Sequence, residues 1–494
     1  MPRASDDPVP VATPPSLDDV AARAPSSHAL ARDDSMADLL SAPRACRGLL
    51  LRNADVLTML SPELLRDHDV LIDGARIAAV APAGRLQAPT GAEQIDARGL
   101  VVMPGLSDLH VHPFTATFAD IMAPYRQTPD PHRFVLPGQM HLFQYLAAGV
   151  LRIQVMAGDP DALELRARVR DGRFLGPAMQ VGTPVIDGPV PMMSPSISWL
   201  VGDEAGGVQA ARLARERGYD FVKPYSALPP AAYDGLMREA TRLGMPACGH
   251  VPYAVGAERA IASGQHIAHA RDHVFAANSE VQGGNAERRA RLARAAAAAG
   301  VFTQTTIECF LRGEVWLDEG IGRYLQAEDA AYINPLVAHA MAPDSEVMRA
   351  VSQSPQWVAT FRDMGRWSLE VVHELKRAGA TLVTGTDAPG LFMAEGFSLH
   401  TELEQLVAHG GLSAFEALQA STVHAANAQG EAEVAGTVSV GARADLLLVR
   451  RNPVDDIRAT RDIDTVVIGG KPIRRAALDE GLQRIRSRLA GMTP

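Results

Sequence analysis

Lysine is scarce in this chain. Only Lys223, Lys376 and Lys471 among its 47 basic residues are lysine, so arginine supplies almost all the positive charge of 494 residues. Cysteine is equally scarce. Cys46, Cys248 and Cys309 are too few and too scattered for a disulfide framework, which fits a reducing compartment. No apolar run approaches the roughly 18 residues of a membrane-spanning helix. The N-terminal stretch lacks the apolar core of a secretory signal, so a cytoplasmic protein with no membrane partner is expected. A net charge of −10 with no long basic block argues against nucleic acid as a partner. What remains, 47% hydrophobic and 21% charged residues, is the composition of a globular protein. Its length predicts one large domain and a smaller one.

Residues 1–45, rich in Pro, Ala, Ser and Asp, are expected to form a disordered tail. After it, RGLLLRNADVLTML, HDVLIDGARIAAVAP and EQIDARGLVVMPG predict short strands, with a hairpin turn at Asp73-Gly74. GTVSVGARADLLLVRRNP and IDTVVIGGKPIRR have the same character near the other end. A small β domain assembled from 46–103 and 430–476 is therefore expected. Between them, apolar runs alternate with helix-like segments from GLSDLHVHP to TLVTGTDAPG, giving eight strand–helix units. That count predicts an α/β fold, a (β/α)8 TIM-like barrel over 104–429, with its chemistry at the C-terminal ends of the strands. Segment 308–360 is too long for an ordinary connection and predicts a helical insertion, a lid or a subunit contact. Residues 477–494 read as a C-terminal helix or tail.

Lys223 lies in YDFVKPYSALPP, an apolar run that reads as a buried parallel strand. A lysine there can lose its proton on desolvation and use its lone pair, which an arginine cannot. Alternatively it snorkels from the strand end. His110 and His112, in GLSDLHVHP, alternate along a strand, so both imidazoles can face one metal. With 15 histidines in 494 residues, about half such a pair is expected by chance. His250 in PACGHVPYA and His269 in QHIAHARDH end later strands, where a single histidine is more often structural. Asp387 in LVTGTDAPG follows an apolar strand, where a cap or turn role is the ordinary one. Together, at the ends of predicted strands one, four, five, six and eight, they point to one site.

The order HxH, Lys, His, His, Asp between two β-rich ends resembles the amidohydrolase superfamily, in particular its imidazolonepropionase-related and prolidase-like branch. DFVKPYSALPP, GMPACGHVP, TGTDAPG, SLHTELEQLV, ALQASTVHAAN and VGARADLLLVRRNP carry the resemblance, which runs from about residue 48 to 476. It implies a β-sandwich built from both termini beside the barrel, and a binuclear centre of two divalent metals. By resemblance, His110, His112 and Asp387 hold one metal, His250 and His269 the other, and a carbon dioxide-derived carbamate on Lys223 bridges them. QHIAHARDH departs from the family spacing by one residue, so His266 or His273 are alternatives to His269. Tyr225, and His400 just beyond Asp387, are candidates for binding substrate.

Such a centre implies hydrolysis by a metal-bridging hydroxide, with Asp387 shuttling the proton. Zinc suits the mixed imidazole and carboxylate ligands. The expected activity is cleavage of a small amide: a peptide-like bond, an N-acyl amino acid, an Xaa-Pro dipeptide or an amide-linked toxin. A lactone or cyclic amide is the alternative substrate, and a non-catalytic binding protein the alternative class. By the same resemblance deamination fits less well, because the superfamily's deaminases carry an acid shortly after the histidine that matches His250, and here none comes before Glu258. A homo-oligomer acting on a small molecule is expected.

Overall fold

The computed structural model describes residues 36–40, 48–113, 134–193, 197–275, 285–319, 322–340, 342, 345, 349 and 352–492. The predicted tail lies outside the described residues except for 36–40. There Met36 is buried, and Asp38 accepts two bonds of 2.7 Å from Arg484, in the C-terminal helix Arg475–Ala490.

After the short helix Ala37–Leu40 come five strands: β1 (Leu49–Val56), β2 (Leu65–Asp73), β3 (Arg76–Pro82), β4 (Glu93–Asp96) and β5 (Val101–Pro104). β2 and β3 form a hairpin closed by the pair Asp73–Arg76, with Gly74 at φ +56° in its turn. The middle of the chain supplies β6 (Leu106–Val111), β7 (Val150–Val155), β8 (Ala178–Val181), β9 (Val185–Asp187), β10 (Ser198–Leu200), β11 (Cys248–Gly249), β12 (His266–Ile267), β13 (Thr303–Gln304) and β14 (Leu382–Val383). β15 (Leu446–Val449), β16 (Ile463–Ile468) and β17 (Lys471–Arg474) follow near the end.

Strands from both ends share one eight-stranded sheet in the order β17-β16-β15-β5-β1-β2-β3, with β4 also paired to β1. The all-apolar run of β15 explains how this sheet sits. Leu446 and Leu448 face a core with Leu49, Leu51 and Val70, while Leu447 and Val449 face the large core shared with the middle of the chain. Alternation by two places successive side chains on opposite faces, so a strand buried on both faces needs no polar residue.

In the middle, β6-β7-β8 and β11-β12-β13-β14 form two parallel ladders. The Lys223 segment joins them through the single bridges Gly182–Phe221 and Val222–Ala247. It was expected as a continuous strand. Pro224, which has no N–H to donate, interrupts the ladder and leaves isolated bridges. Bonds from Leu109 N to Thr384 O (2.9 Å) and Asp387 N to His110 O (2.8 Å) link the segment after β14 to β6. Helices Pro160–Arg170, Glu204–Arg217, Pro230–Arg242, Ala257–Ala262, Ala286–Ala299 and Pro355–Arg377 alternate with these strands. Their ends follow local chemistry. Asp159, Asp203 and Asn285 cap N-termini through their side chains, and Gly218 and Gly300 end helices in the left-handed conformation. The predicted insertion is helical where described, with Ile307–Glu319 packed along Pro355–Arg377. Among the described residues, no helix is long and apolar enough to cross a membrane.

Candidate active site

The ends of the parallel strands converge on a cavity of about 280 Å³. His110, His112, Lys223, Tyr225, His250, His269 and Asp387 all line it. β6 carries His110 inward and continues to His112, and the Asp387 Oδ1 stands 3.3 Å and 3.0 Å from their Nε2 atoms. The backbone of Asp387 is left-handed, at φ +66°, which turns its carboxylate back toward β6. Across the cavity, the Nε2 atoms of His250 and His269 face each other at 3.1 Å. The His110 and His269 rings lie 4.5 Å apart. Lys223 is 1% exposed, with its Nζ 5.8 Å from the Tyr225 ring. Tyr225 in turn packs 4.2 Å from the His250 ring.

His400 is not brought to this cluster. Helix Ser398–Ala408 turns its ring toward Thr460, whose Oγ1 is 2.9 Å from Nδ1, and it lines a separate cavity with Tyr332 and Arg461. The substrate-contacting role expected for it does not fit that place. His266 and His273 are also directed elsewhere. His266 stacks on Phe302 at 3.7 Å, and the His273 Nε2 contacts Thr303 Oγ1 at 3.0 Å. His269 is the histidine of that segment that lines the cavity.

Polar neighbours meet the rings of His110, His250 and His269, and none of them stood out in the sequence. The His110 Nδ1 faces Gln304 Oε1 at 2.8 Å and Ala268 O at 3.1 Å. Both are acceptors, so Nδ1 carries the hydrogen and Nε2 presents a lone pair. The His269 Nδ1 meets Thr306 Oγ1 at 2.9 Å, and Thr306, although β-branched, is held at φ +46°. The His250 Nδ1 lies 3.2 Å from Ser226 Oγ and 3.5 Å from Asp272 Oδ2. Arg271, immediately before Asp272, also lines the cavity.

Burial controls the protonation of these groups. It pushes His110 down to about 3 against the pull of Asp387, and lowers His112, His250 and His269 below their ordinary value. Burial also lowers Lys223 to about 8, opposed by Asp387, and raises Asp272 to about 6. Burial resists ionisation of Asp387, but His110, His112 and Lys223 prevail and hold its carboxyl below the ordinary range.

This arrangement fits cations. The His110 Nε2 is buried without a hydrogen-bond partner, and its lone pair points at a carboxylate oxygen. Two imidazole nitrogens face each other in the same cavity. Neutral imidazoles and an ionised carboxylate aimed at common points repel one another unless a positive ion lies between them. Ligand atoms of His110, His269 and Asp387 all lie within 4.8 Å of one another.

The family model described as "Amidohydrolase family" matches residues 199–473. Adenine deaminase 2 of Bradyrhizobium sp. (strain ORS 278) is 42% identical over 78 residues, 16% of this chain. That match spans only 13% of the deaminase's length. Among solved structures, a putative prolidase from Bifidobacterium longum superposes with a TM-score of 0.65 at 21% identity, covering 89% of this chain and 99% of that one. Bottromycin amidohydrolase superposes with a TM-score of 0.68 at 22% identity, covering 92% and 93%. At these identities the two structures bear on the fold, a mixed α/β architecture of the (β/α)8-barrel kind.

Proposed function

The chain belongs to the amidohydrolase family, and from that premise we propose that it is a metal-dependent hydrolase of a carbon–nitrogen amide bond in a small molecule. The observation that carries this reading is the convergence of four imidazoles, Asp387 and a buried lysine amine on one cavity. His110, His112 and Asp387 would hold one divalent ion, His250 and His269 a second, and Lys223 as its carbamate would stand between them. Zinc is the ion these nitrogen and oxygen ligands suit. When bound, such ions polarise a carbonyl and lower the pKa of water toward neutrality.

The chain's own groups prepare that chemistry. An amine lowered to about 8 keeps a neutral fraction at neutral pH. Its lone pair can attack the carbon of carbon dioxide, releasing one proton and leaving an anionic carbamate. An amine at its ordinary value, or a guanidinium, would remain a cation. Asp387, ionised and at the cavity edge, takes a proton from water and returns it to the departing nitrogen. Tyr225 keeps its phenolic hydrogen, because burial raises its pKa, so it serves as a neutral donor toward substrate. Gln304 holds His110 with its Nε2 toward the cavity, and the hydroxyls of Thr306 and Ser226 meet the other ring nitrogens of His269 and His250.

Deamination by an acid after His250 is disfavoured. Glu258 is half exposed and pairs with Arg288 and Arg291 at 3.2 Å, outside the cavity lining. Metal analysis and turnover of N-acyl amino acids test the proposal. About two ions per chain are expected in active protein. Lys223→Ala should lose both metal and turnover, with partial recovery in short carboxylic acids. Full turnover in Lys223→Arg, or in metal-free protein, would remove the proposal.

A further inference from the structure

Among the described residues, Arg271 is a buried arginine with two guanidinium nitrogens left unpartnered. It is 9% exposed and lines the same cavity as the histidine cluster. Its Nε and Nη1 are buried with no hydrogen-bond partner among the described residues. The nearest carboxylate oxygen, Asp272 Oδ1, is 3.8 Å from Nε, beyond hydrogen-bond range. The other oxygen of Asp272 is turned to His250 at 3.5 Å.

Arg312 shows how this chain treats an arginine kept for structure. At 5% exposure, it gives Nε to Glu308 and Nη1 to Phe392 O, each at 2.5 Å. Among the described residues, Nε and Nη1 of Arg271 have no equivalent bonds. Instead its guanidinium lies between two rings, 4.5 Å from the centroid of Phe275 and 4.6 Å from that of Phe310. The rings hold the fork in one plane and favour its charge, but they accept no conventional hydrogen bonds. Burying a guanidinium with its donors unmade costs free energy that a planar anion would recover.

We infer that Arg271 is a specificity-determining residue, receiving a carboxylate of the substrate on its cavity-facing edge between Phe275 and Phe310. This rests on the amide-hydrolase reading and narrows it to amides that carry a carboxylate, such as N-acyl amino acids or peptides with a free C-terminus. Val155, Val185 and Ile197 line the same cavity and suit an apolar group on that substrate.

The test uses metal-loaded full-length protein and two probes without an amide bond, phenylbutyrate and the uncharged phenylbutanol. Their binding cannot depend on hydrolysis, so failure of the amide-hydrolase reading would show separately, in the turnover assay. Calorimetry should find the acid bound about tenfold more tightly than the alcohol by the unaltered protein. Arg271→Gln should abolish that preference while leaving phenylbutanol affinity and metal content unchanged. Arg271→Met, whose thioether suits the gap between two rings, should do the same and provides a second neutral variant. Equal binding of the two probes by the unaltered protein, or an undiminished preference for the acid in either folded variant, would overturn the inference.

Discussion

Replacing Lys223 by methionine should stabilise the metal-free protein while abolishing its activity. The buried amine is held at about 8, against an ordinary 10.5. At about 1.4 kcal/mol per pH unit, that difference makes the charged lysine cost about 3 kcal/mol in the fold at neutral pH. Methionine fills similar space without charge, so Lys223→Met removes the cost. The sign is set by linkage. The folded lysine gives up its proton near pH 8, whereas the unfolded one keeps it to about 10.5, so the unfolded chain binds more protons in that window. Stability of the unaltered protein therefore rises as pH climbs through the window, and that of the variant lacks this contribution. Urea denaturation in carbon dioxide-depleted buffer with a chelator should find the variant about 3 kcal/mol more stable near pH 7. The gap should close near pH 10.5. Asp387 and the histidines that Lys223 also influences titrate below this window, so the pH dependence of the difference within it belongs to Lys223. A gap that does not change with pH, or an unaltered protein that is the more stable at neutral pH, would refute the reasoning.

Thr306→Val removes the hydroxyl that meets His269 Nδ1 at 2.9 Å. Competition with a chelator should show metal affinity about 10- to 100-fold weaker, and unchanged affinity would mean that Thr306 does not orient the ring. Burial holds His273 at about 4 instead of 6.5, so its unfolded form takes up a proton first as pH falls. About 3 kcal/mol should be lost between pH 6.5 and 4, and His273→Gln should flatten the acid limb of the stability curve by that amount. Gly149 sits at φ +74°, where a Cβ would lie 2.8 Å from Ile463 Cδ1 and 2.9 Å from Leu447 Cδ1. Gly149→Ala should cost about 1 kcal/mol or more in thermal unfolding, chiefly from the left-handed backbone, and an unchanged midpoint would show that the backbone and the Ile463 and Leu447 side-chain ends accommodate the methyl.

The residues that could be read from the sequence were those whose type conflicts with their local setting. Two histidines alternating in an apolar strand, a lysine in an arginine-using chain and an aspartate after an apolar run all invite explanation, and the cavity collects them. The supporting groups could not be read in this way. Gln304 reaches His110 across 194 residues and Thr306 reaches His269 across 37, and each is an ordinary polar residue where it stands. His400 misled through nearness in sequence. It follows Asp387 closely, but Ser398–Ala408 is a helix that turns the ring onto Thr460. The eight-unit alternation was visible because apolar period distinguishes strand from helix. The brevity of β11 to β14, two residues each, was not, since hydrophobic runs mark where a strand passes and not how far its ladder pairs.

In the proposed reading the two basic residues of the cavity have different work, and residue choice follows from it. Both Lys223 and Arg271 are buried, but only an ammonium can lose its proton within the physiological range. A group that must become a neutral nucleophile toward carbon dioxide has to be lysine, and burial has to be what tunes it. A group that must remain charged while it awaits an anion has to be arginine, and aromatic faces are neighbours that hold it without neutralising it. Exchanging them should therefore fail in both directions. A guanidinium at 223 cannot form the carbamate, and a lysine at 271 would lose the planar fork stacked between Phe275 and Phe310. Under the proposed mechanism the scarcity of lysine thus matters at one position only, where burial makes an amine's variable charge useful.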